Sequence, residues 1–235
     1  MVKCLFLVEG PYDLQRLSLL KGLFDENKLE IVPLEGDKLT TKDYSQNYRE
    51  TISFHLNRES THSFEEFDFL AQICDTDGCY IDKSLLIQKS EITKIKYYRT
   101  HVDIKEVDPK AIKDEYKRNN ICALLSSGEI ELFYNSCNID DAFDGCLNPT
   151  KKQKGNLAIN MYNKYKDDLF GFIDLLFESD KSNTITYSDS WLFIQQGTNS
   201  LLSSSNLKYF LINHIDDLKE EYKLYVLNKI KQEEK

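Results

Sequence analysis

The stretch MVKCLFLVEGPYD (residues 1–13), taken together with FLAQICDTDG (residues 69–78), decides the fold. In each stretch, a short apolar run of the length of a strand ends abruptly in acidic residues and a glycine. The first run leads to Glu9, and the second leads to Asp75 and Asp77. Because carboxylate oxygens are the ligands that hard divalent cations prefer, these two runs predict a metal site at one edge of a sheet.

The order of the elements around these runs indicates parallel strands. A helix with one apolar face follows the first strand, and a second strand and a second helix precede the third strand. Strands joined by crossover helices pair in parallel, and such sheets bind ligands beyond the carboxyl ends of their strands. The predicted elements are a strand at 4–8, a helix at 12–24, a strand at 29–34, a helix at 43–56 and a strand at 69–74.

The rest of the chain predicts a continuation of this α/β domain followed by a helical extension. We expect an α/β domain of residues 1–145 with a mostly parallel sheet flanked by helices. Residues 146–235 are expected to form a mainly helical region that could dock a partner. The further elements predicted are a helix at 82–89, a strand at 94–98, a helix at 109–118, strands at 121–125 and 129–134, a helix at 156–177, a loop at 182–190 and a helix at 206–231.

The composition favours a cytoplasmic protein. The six cysteines are dispersed without a C-x-x-C pair, which is typical of reduced thiols. The first apolar run is too short for a signal peptide, and no apolar run approaches the ~20 residues that span a bilayer. The net charge of −9 opposes binding to nucleic acid in general, so metal ions or a basic partner subunit would have to offset it for a nucleic-acid substrate.

The motifs LVEGPYD (residues 7–13) and DTDG (residues 75–78) together resemble the Toprim domain of topoisomerases, primases, OLD-family nucleases and small phage-defence nucleases. The motifs cover residues 3–80. The resemblance implies that Glu9 acts as an acid/base or a metal ligand, and that the two aspartates of DTDG, Asp75 and Asp77, bind Mg²⁺ or Mn²⁺.

Four further residues are candidates for the same site. Asp13 matches an extra acidic residue of OLD-type members, which favours the nuclease branch of the family. The family pattern implies one more acidic ligand, for which we expect Asp140 or Asp141; the alternative is that these residues cap a helix. Lys38 follows the second strand and is a candidate for phosphate binding, although a solvated turn lysine is the simpler interpretation.

The resemblance to small OLD-like, RloB-like and DUF4435-like proteins also implies a partner. Such chains commonly work beside an ABC-type or AAA-type ATPase and cut nucleic acid, DNA or tRNA and other RNA. This sequence has no G-x-x-x-x-G-K-[ST] motif, so the ATPase would be a separate polypeptide. We therefore expect the effector nuclease of an antiphage system, and the sequence leaves a homo-oligomer open.

Two alternatives remain from the sequence. The DTDG motif also resembles the nucleophile motif of haloacid-dehalogenase-type phosphatases, but Cys79 replaces the hydroxyl residue usual there, and that motif normally lies near the start of the chain. The second alternative is a Toprim-like binding or scaffold subunit without activity, which the acidic composition favours. The nuclease hypothesis requires the carboxylates of Glu9, Asp75 and Asp77 to converge within reach of one or two ions.

Overall fold

The structure is a computed structural model that describes residues 1–37, 39–40, 48–184 and 186–233. Its strands belong to a central sheet and to a smaller sheet inserted after the third strand. The strands are β1 (Val2–Val8), β2 (Leu29–Glu35), β3 (Phe69–Asp75), β4 (Leu86–Gln88), β5 (Lys96–Tyr97), β6 (Val102–Ile104) and β7 (Ile130–Asn135). The helices are α1 (Pro11–Leu17), α2 (Leu19–Leu23), α3 (Tyr48–Glu59), α4 (Lys110–Ser127), α5 (Ile139–Asp144), α6 (Lys151–Tyr165), α7 (Leu169–Ser179), α8 (Tyr187–Ile194), α9 (Lys208–Asn213) and α10 (Glu220–Glu233).

The central sheet has the order β2-β1-β3-β7, and all of its strands are parallel. The small sheet has the order β4-β6-β5, in which β5 pairs antiparallel with β6. The predicted fold class is confirmed: the chain is an α/β protein with a four-strand parallel sheet flanked by helices and with a helical C-terminal region. Within the described ranges, no helix combines the length and the apolar character needed to cross a membrane.

Both faces of the central sheet are buried, as is usual for parallel sheets. Along β1, Phe6 packs into the core on one face, and Leu5 and Leu7 pack into the core on the other face. Helices α1, α2, α7 and α9 contribute to the first core, whereas α3, α4 and α8 contribute to the second. Helices of the C-terminal region therefore pack on both faces of the sheet.

Two predicted elements in the middle of the chain are wrong. Residues 121–125 are not a strand but the last part of α4, in which Ile121 and Leu124 are buried on one face. A short apolar run cannot distinguish a buried strand from a buried helix segment, and the helix ends only at Gly128, whose φ of 65° suits glycine. Residues 82–89 are not a helix but a single 3₁₀ turn, Lys83–Leu85, that leads into β4.

Several predicted helices have different limits in the structure. The helix predicted at 12–24 is divided at Ser18 into α1 and α2. The one predicted at 156–177 is two helices, because Asp168 caps the start of α7 by accepting from the backbone N–H of Gly171. The last predicted helix is likewise divided into α9 and α10, and the loop predicted at 182–190 contains the start of α8. The start of the helix predicted at 43–56 lies outside the described residues.

Phe210→Ala should lower the free energy of unfolding by about 3–5 kcal/mol, the usual loss for a buried phenylalanine. Phe210 of α9 is fully buried, and its ring centroid lies 5.1 Å from that of Phe6 in β1 and 5.7 Å from that of Phe133 in β7. Because this contact joins the C-terminal region to the sheet, we expect one cooperative transition at lower denaturant concentration. Urea unfolding followed by circular dichroism measures the change.

The control is Leu192→Ala, whose side chain is 58% exposed and should change stability by no more than about 0.5 kcal/mol. Two separate unfolding transitions in the Phe210 variant, with the sheet retaining its original midpoint, would contradict the expected coupling.

Candidate functional site

The two acidic stretches meet at the point where the direction of the chain across the sheet reverses. From β1 the chain proceeds to β2 on one side, and from β2 it returns past β1 to β3 on the other side. The carboxyl ends of β1 and β3 therefore form the topological switch point at which open α/β sheets bind ligands. The backbone N–H of Asp75 donates a hydrogen bond to Oε1 of Glu9 at 2.9 Å, which joins the two strand ends directly.

The turn after β3 fixes the position of Asp77. Its backbone has a φ of 52°, and its N–H donates to the carbonyl of Cys137 at 2.8 Å. The Thr76 hydroxyl donates to the carbonyl of Ser200 at 3.2 Å, so the C-terminal region also supports this turn. Gly78 follows with a φ of 67°, and a Cβ there would lie 2.6 Å from Cδ2 of Leu201. Only glycine fits this position without displacing the neighbouring side chain.

A lysine that the sequence analysis missed lies between the carboxylates. The Nζ of Lys117, on α4, is 2.8 Å from Oδ2 of Asp77 and 3.4 Å from Oε1 of Glu9. The same ammonium donates to the backbone carbonyl of Asp75 at 2.5 Å. The signal for it was helical spacing, because Lys110, Asp114 and Lys117 are four and three residues apart and share one face of the helix that the sequence predicts at 109–118.

Asp37 is a second functional candidate that the sequence analysis missed. It follows β2, and its Oδ2 lies 3.8 Å from the Nζ of Lys117. Its Oδ1 accepts from the Nε2 of Gln72 at 2.9 Å, and Thr40 also donates to this carboxylate. The available signal was its place just beyond a strand end, the same signal that identified Glu9. The neighbouring candidate for phosphate binding, Lys38, lies outside the described residues.

The carboxylates of this cluster differ strongly in acidity. Burial raises the pKa of Glu9 to about 8, with the charges of Asp37 and Asp77 adding to the rise and that of Lys117 opposing it. Burial, followed by the charge of Glu9, also raises the pKa of Asp75, whose Oδ1 accepts from Asn135 at 3.1 Å.

The pKa of Asp77 is shifted the other way. Burial acts to raise it, but the charges of Lys117 and Lys110 outweigh burial and lower the pKa of Asp77. The cluster therefore contains one carboxyl whose pKa is lowered beside two whose pKa is raised, a pattern typical of functional sites.

A cavity of about 480 Å³ opens beside these groups. Glu9, Asp37 and Asp77 form its acidic side. Tyr97 of β5 lines it as well, and its hydroxyl donates to Oδ1 of Asp77 at 3.4 Å. Lys110 lines the same cavity and donates to the backbone carbonyl of Asp77 at 2.7 Å. The cleft therefore presents both carboxylates and ammonium groups to a bound ligand.

The two aspartates predicted to complete the site are bound to cations of the protein. Both lie on α5 and are fully buried. Oδ1 of Asp140 accepts from Nη2 of Arg16 at 2.7 Å, and its Oδ2 lies 3.4 Å from the Nζ of Lys154. Asp141 forms a bidentate ion pair with Arg99, whose Nη1 donates to Oδ2 at 2.5 Å and whose Nη2 donates to Oδ1 at 2.7 Å. The metal-binding role of these two residues stays a prediction.

Asp13 interacts electrostatically with this second charged group and with Asp75 of the cleft. Burial raises its pKa to about 6, against the opposing charges of Arg16 and Lys154. Asp13 in turn raises the pKa of Asp75, so its charge acts on both clusters. This position suits an accessory acidic group more than a member of the Lys117 cluster.

The oxygen donors of the cleft suit Mg²⁺ or Mn²⁺, yet in this arrangement they bind a lysine. Among the residues that the structure describes, no three Asp, Glu, His or Cys side chains are placed to hold one metal ion. Glu9 and Asp77 converge on Lys117, whereas Asp75 turns to Asn135. The structure thus brings the three predicted carboxylates to one strand edge without grouping them around a single point.

The chain matches no family model, no curated protein and no solved structure. The geometry of the cleft is therefore the basis for the function proposed below.

Glu9→Gln should stabilise the metal-free protein more at pH 8 than at pH 5. Because the pKa of Glu9 is about 8 in the folded chain and ordinarily 4.5, the folded state keeps a proton that the unfolded state releases in this window. The free energy of unfolding of the wild type therefore falls as the pH rises from about 5 to 8. Glutamine stays neutral and can still accept from Asp75, so it should reduce this fall by at least about 1 kcal/mol.

Urea unfolding in EDTA at the two pH values measures the effect. Glu65→Gln is the matched control, because Glu65 is exposed and lies outside the cleft. An equal pH dependence in the wild type and the Glu9 variant would show that Glu9 is ionised normally.

Proposed function

We propose that the chain is a metal-dependent nuclease of the Toprim-like kind that hydrolyses phosphodiester bonds in DNA or RNA. The observation that carries this proposal is the convergence of Glu9, Asp77 and Lys117 at the switch point of a parallel sheet. Acid/base, ion-binding and phosphate-binding groups are the parts that metal-assisted phosphodiester hydrolysis requires, and this cleft contains candidates for each.

In this proposal, the residues of the chain have separate tasks. Glu9, with a pKa of about 8, is suited to accept a proton from the attacking water near neutral pH. Lys117 keeps its proton, because the charges of Asp77 and Glu9 outweigh burial and raise its pKa. Its ammonium can leave Asp77 and bind a phosphate oxygen instead. There it would stabilise the negative charge that develops on that oxygen during hydrolysis.

Asp75 and Asp77 would hold Mg²⁺ or Mn²⁺, and Asp13 would assist as an accessory acid. When bound, the ion would neutralise the scissile phosphate. The proposal extends to a cytoplasmic antiphage effector that an ABC-type or AAA-type ATPase, encoded as a separate polypeptide, holds inactive.

A second candidate function is a Toprim-like binding or scaffold subunit without activity. One observation favours it: within the described ranges the acidic groups do not surround one point, and Lys117 neutralises two of them. The two candidates differ in whether the purified chain cuts nucleic acid when Mg²⁺ or Mn²⁺ is supplied.

Glu9→Gln and Asp77→Asn should each lower the rate of nucleic-acid cleavage at least about 100-fold, the usual contribution of an acid/base group. Lys117→Met should lower it similarly, because the developing phosphate charge loses its cation. The assay incubates the purified protein, alone and in parallel with the ATPase, with plasmid DNA or tRNA in Mg²⁺ or Mn²⁺, and EDTA should abolish cleavage. Circular dichroism verifies that each variant is folded.

Glu221→Gln and Lys152→Met are the matched controls, since both residues are exposed and lie on helices of the C-terminal region. If the wild type leaves DNA and tRNA intact in both metals, alone as well as with the ATPase, the nuclease proposal is wrong and the scaffold proposal is favoured. Hydrolysis of small phosphomonoesters alone would instead support the phosphatase alternative.

A further inference from the structure

Two parts of this acidic chain carry net positive charge: residues 146–166, with five lysines and no acidic residue, and the part that contains the small sheet. Residues 83–118, here called the basic segment, contain ten Lys and Arg against six Asp and Glu. The segment therefore carries a charge of +4 in a chain whose net charge is −9. It comprises the small sheet and the first half of α4, so its positive charge is contributed by one contiguous part of the fold.

Several lysines of the basic segment are free to meet an anionic ligand. Lys94, Lys96 and Lys105 are exposed on or beside the small sheet, and Lys113 is exposed on α4. None of these four lysines forms an ion pair with a residue that the structure describes, in contrast to Lys110 and Lys117. Unpaired, exposed lysines of this kind are the usual contacts of a phosphate backbone.

The turn between β5 and β6 adds an exposed aromatic pair. The rings of Tyr98 and His101 stack with centroids 4.6 Å apart and an interplanar angle of 9°. Tyr98 nevertheless remains 38% exposed, and Tyr116 on α4 is 47% exposed. Exposed aromatic rings among lysines are the combination that binds single-stranded nucleic acid, because unpaired bases stack on the rings.

The basic segment is continuous with the acidic cleft. Tyr97, next to Tyr98 in the chain, lines the cavity and donates to Asp77. Lys113, which is exposed to solvent, lines the same cavity. Through Lys113 and Tyr97, the basic segment therefore borders the cavity that Glu9 and Asp77 also line.

We propose that the basic segment binds single-stranded nucleic acid, with its lysines on the phosphates and Tyr98 against an unpaired base. This inference deepens the proposed nuclease function and rests on it for the fate of the bound strand. It names single-stranded polynucleotide as the substrate class. It also explains how a chain of net charge −9 approaches a polyanion, because the approach is made through the positive part that adjoins the cleft.

Binding is tested on the full chain carrying Glu9→Gln, without metal, so that no cleavage interferes. Fluorescence anisotropy follows labelled 20-nucleotide single-stranded DNA, RNA of the same sequence, and the corresponding DNA duplex over a range of salt. Combining Lys94→Gln, Lys96→Gln and Lys105→Gln should make the salt slope of log Kd shallower by about 2 and weaken binding about 100-fold in 0.1 M salt. Tyr98→Ala should weaken it about tenfold, whereas Tyr98→Phe should retain binding.

The matched control combines Lys21→Gln, Lys152→Gln and Lys231→Gln, which removes three exposed lysines from other parts of the chain. Equal weakening by the control triple would overturn the proposed location. Duplex bound as tightly as the single strands, or polyglutamate competing as well as oligonucleotide, would overturn the proposed ligand.

The DNA and RNA probes establish which polynucleotide the segment prefers. Failure of the nuclease proposal is seen separately, in the metal-dependent cleavage assay. A wild type that binds as described but never cleaves would retain the binding surface and lose only the nuclease function.

Discussion

The site depends on one ammonium group surrounded by carboxylates. Three strands deliver acidic residues to the same edge of the sheet, where like charges in a buried setting repel. Lys117 lies within 3.8 Å of Asp37, Glu9 and Asp77 and also bonds the end of β3. Because the lysine is carried by α4, the register of that helix against the sheet decides whether the strand ends can stay together.

Buried acidic groups beyond this centre are also paired with cations of the protein. Acidic groups are concentrated at the strand ends, and their partners are specific cations: Lys117 in the cleft, Arg16 at Asp140 and Arg99 at Asp141. A buried carboxylate without such a partner would strongly favour its neutral form. Lys94, Lys96, Lys105 and Lys113 of the basic segment differ from these, because they form no ion pair with a described acid. One set of cations thus serves the fold, and the other remains available for an external anion.

The sheet and the meeting of Glu9 with Asp75 were predictable, because apolar runs of strand length and parallel topology require only local pattern and chain order. Lys117 lies within the helix predicted at 109–118, but its contact with Glu9 was not predictable, since it joins residues 108 positions apart. The pairing of Asp140 with Arg16 joins residues 124 positions apart. Local sequence contains no information on such a contact, so it could not separate an ion pair from a metal ligand.

The support of the Thr76 turn by the C-terminal region has a consequence for how the protein is made. Thr76 bonds Ser200, a residue 124 positions later in the chain, and Ser136 likewise donates its N–H to Ser204 at 2.7 Å. A nascent chain emerges from the ribosome with its N-terminus first. The strands that lead to Glu9 and Asp75 therefore emerge long before Ser200, which bonds the turn at Thr76. These two bonds therefore form only after residues 200–204 have been synthesised, so the turn that positions Asp77 is secured late in translation.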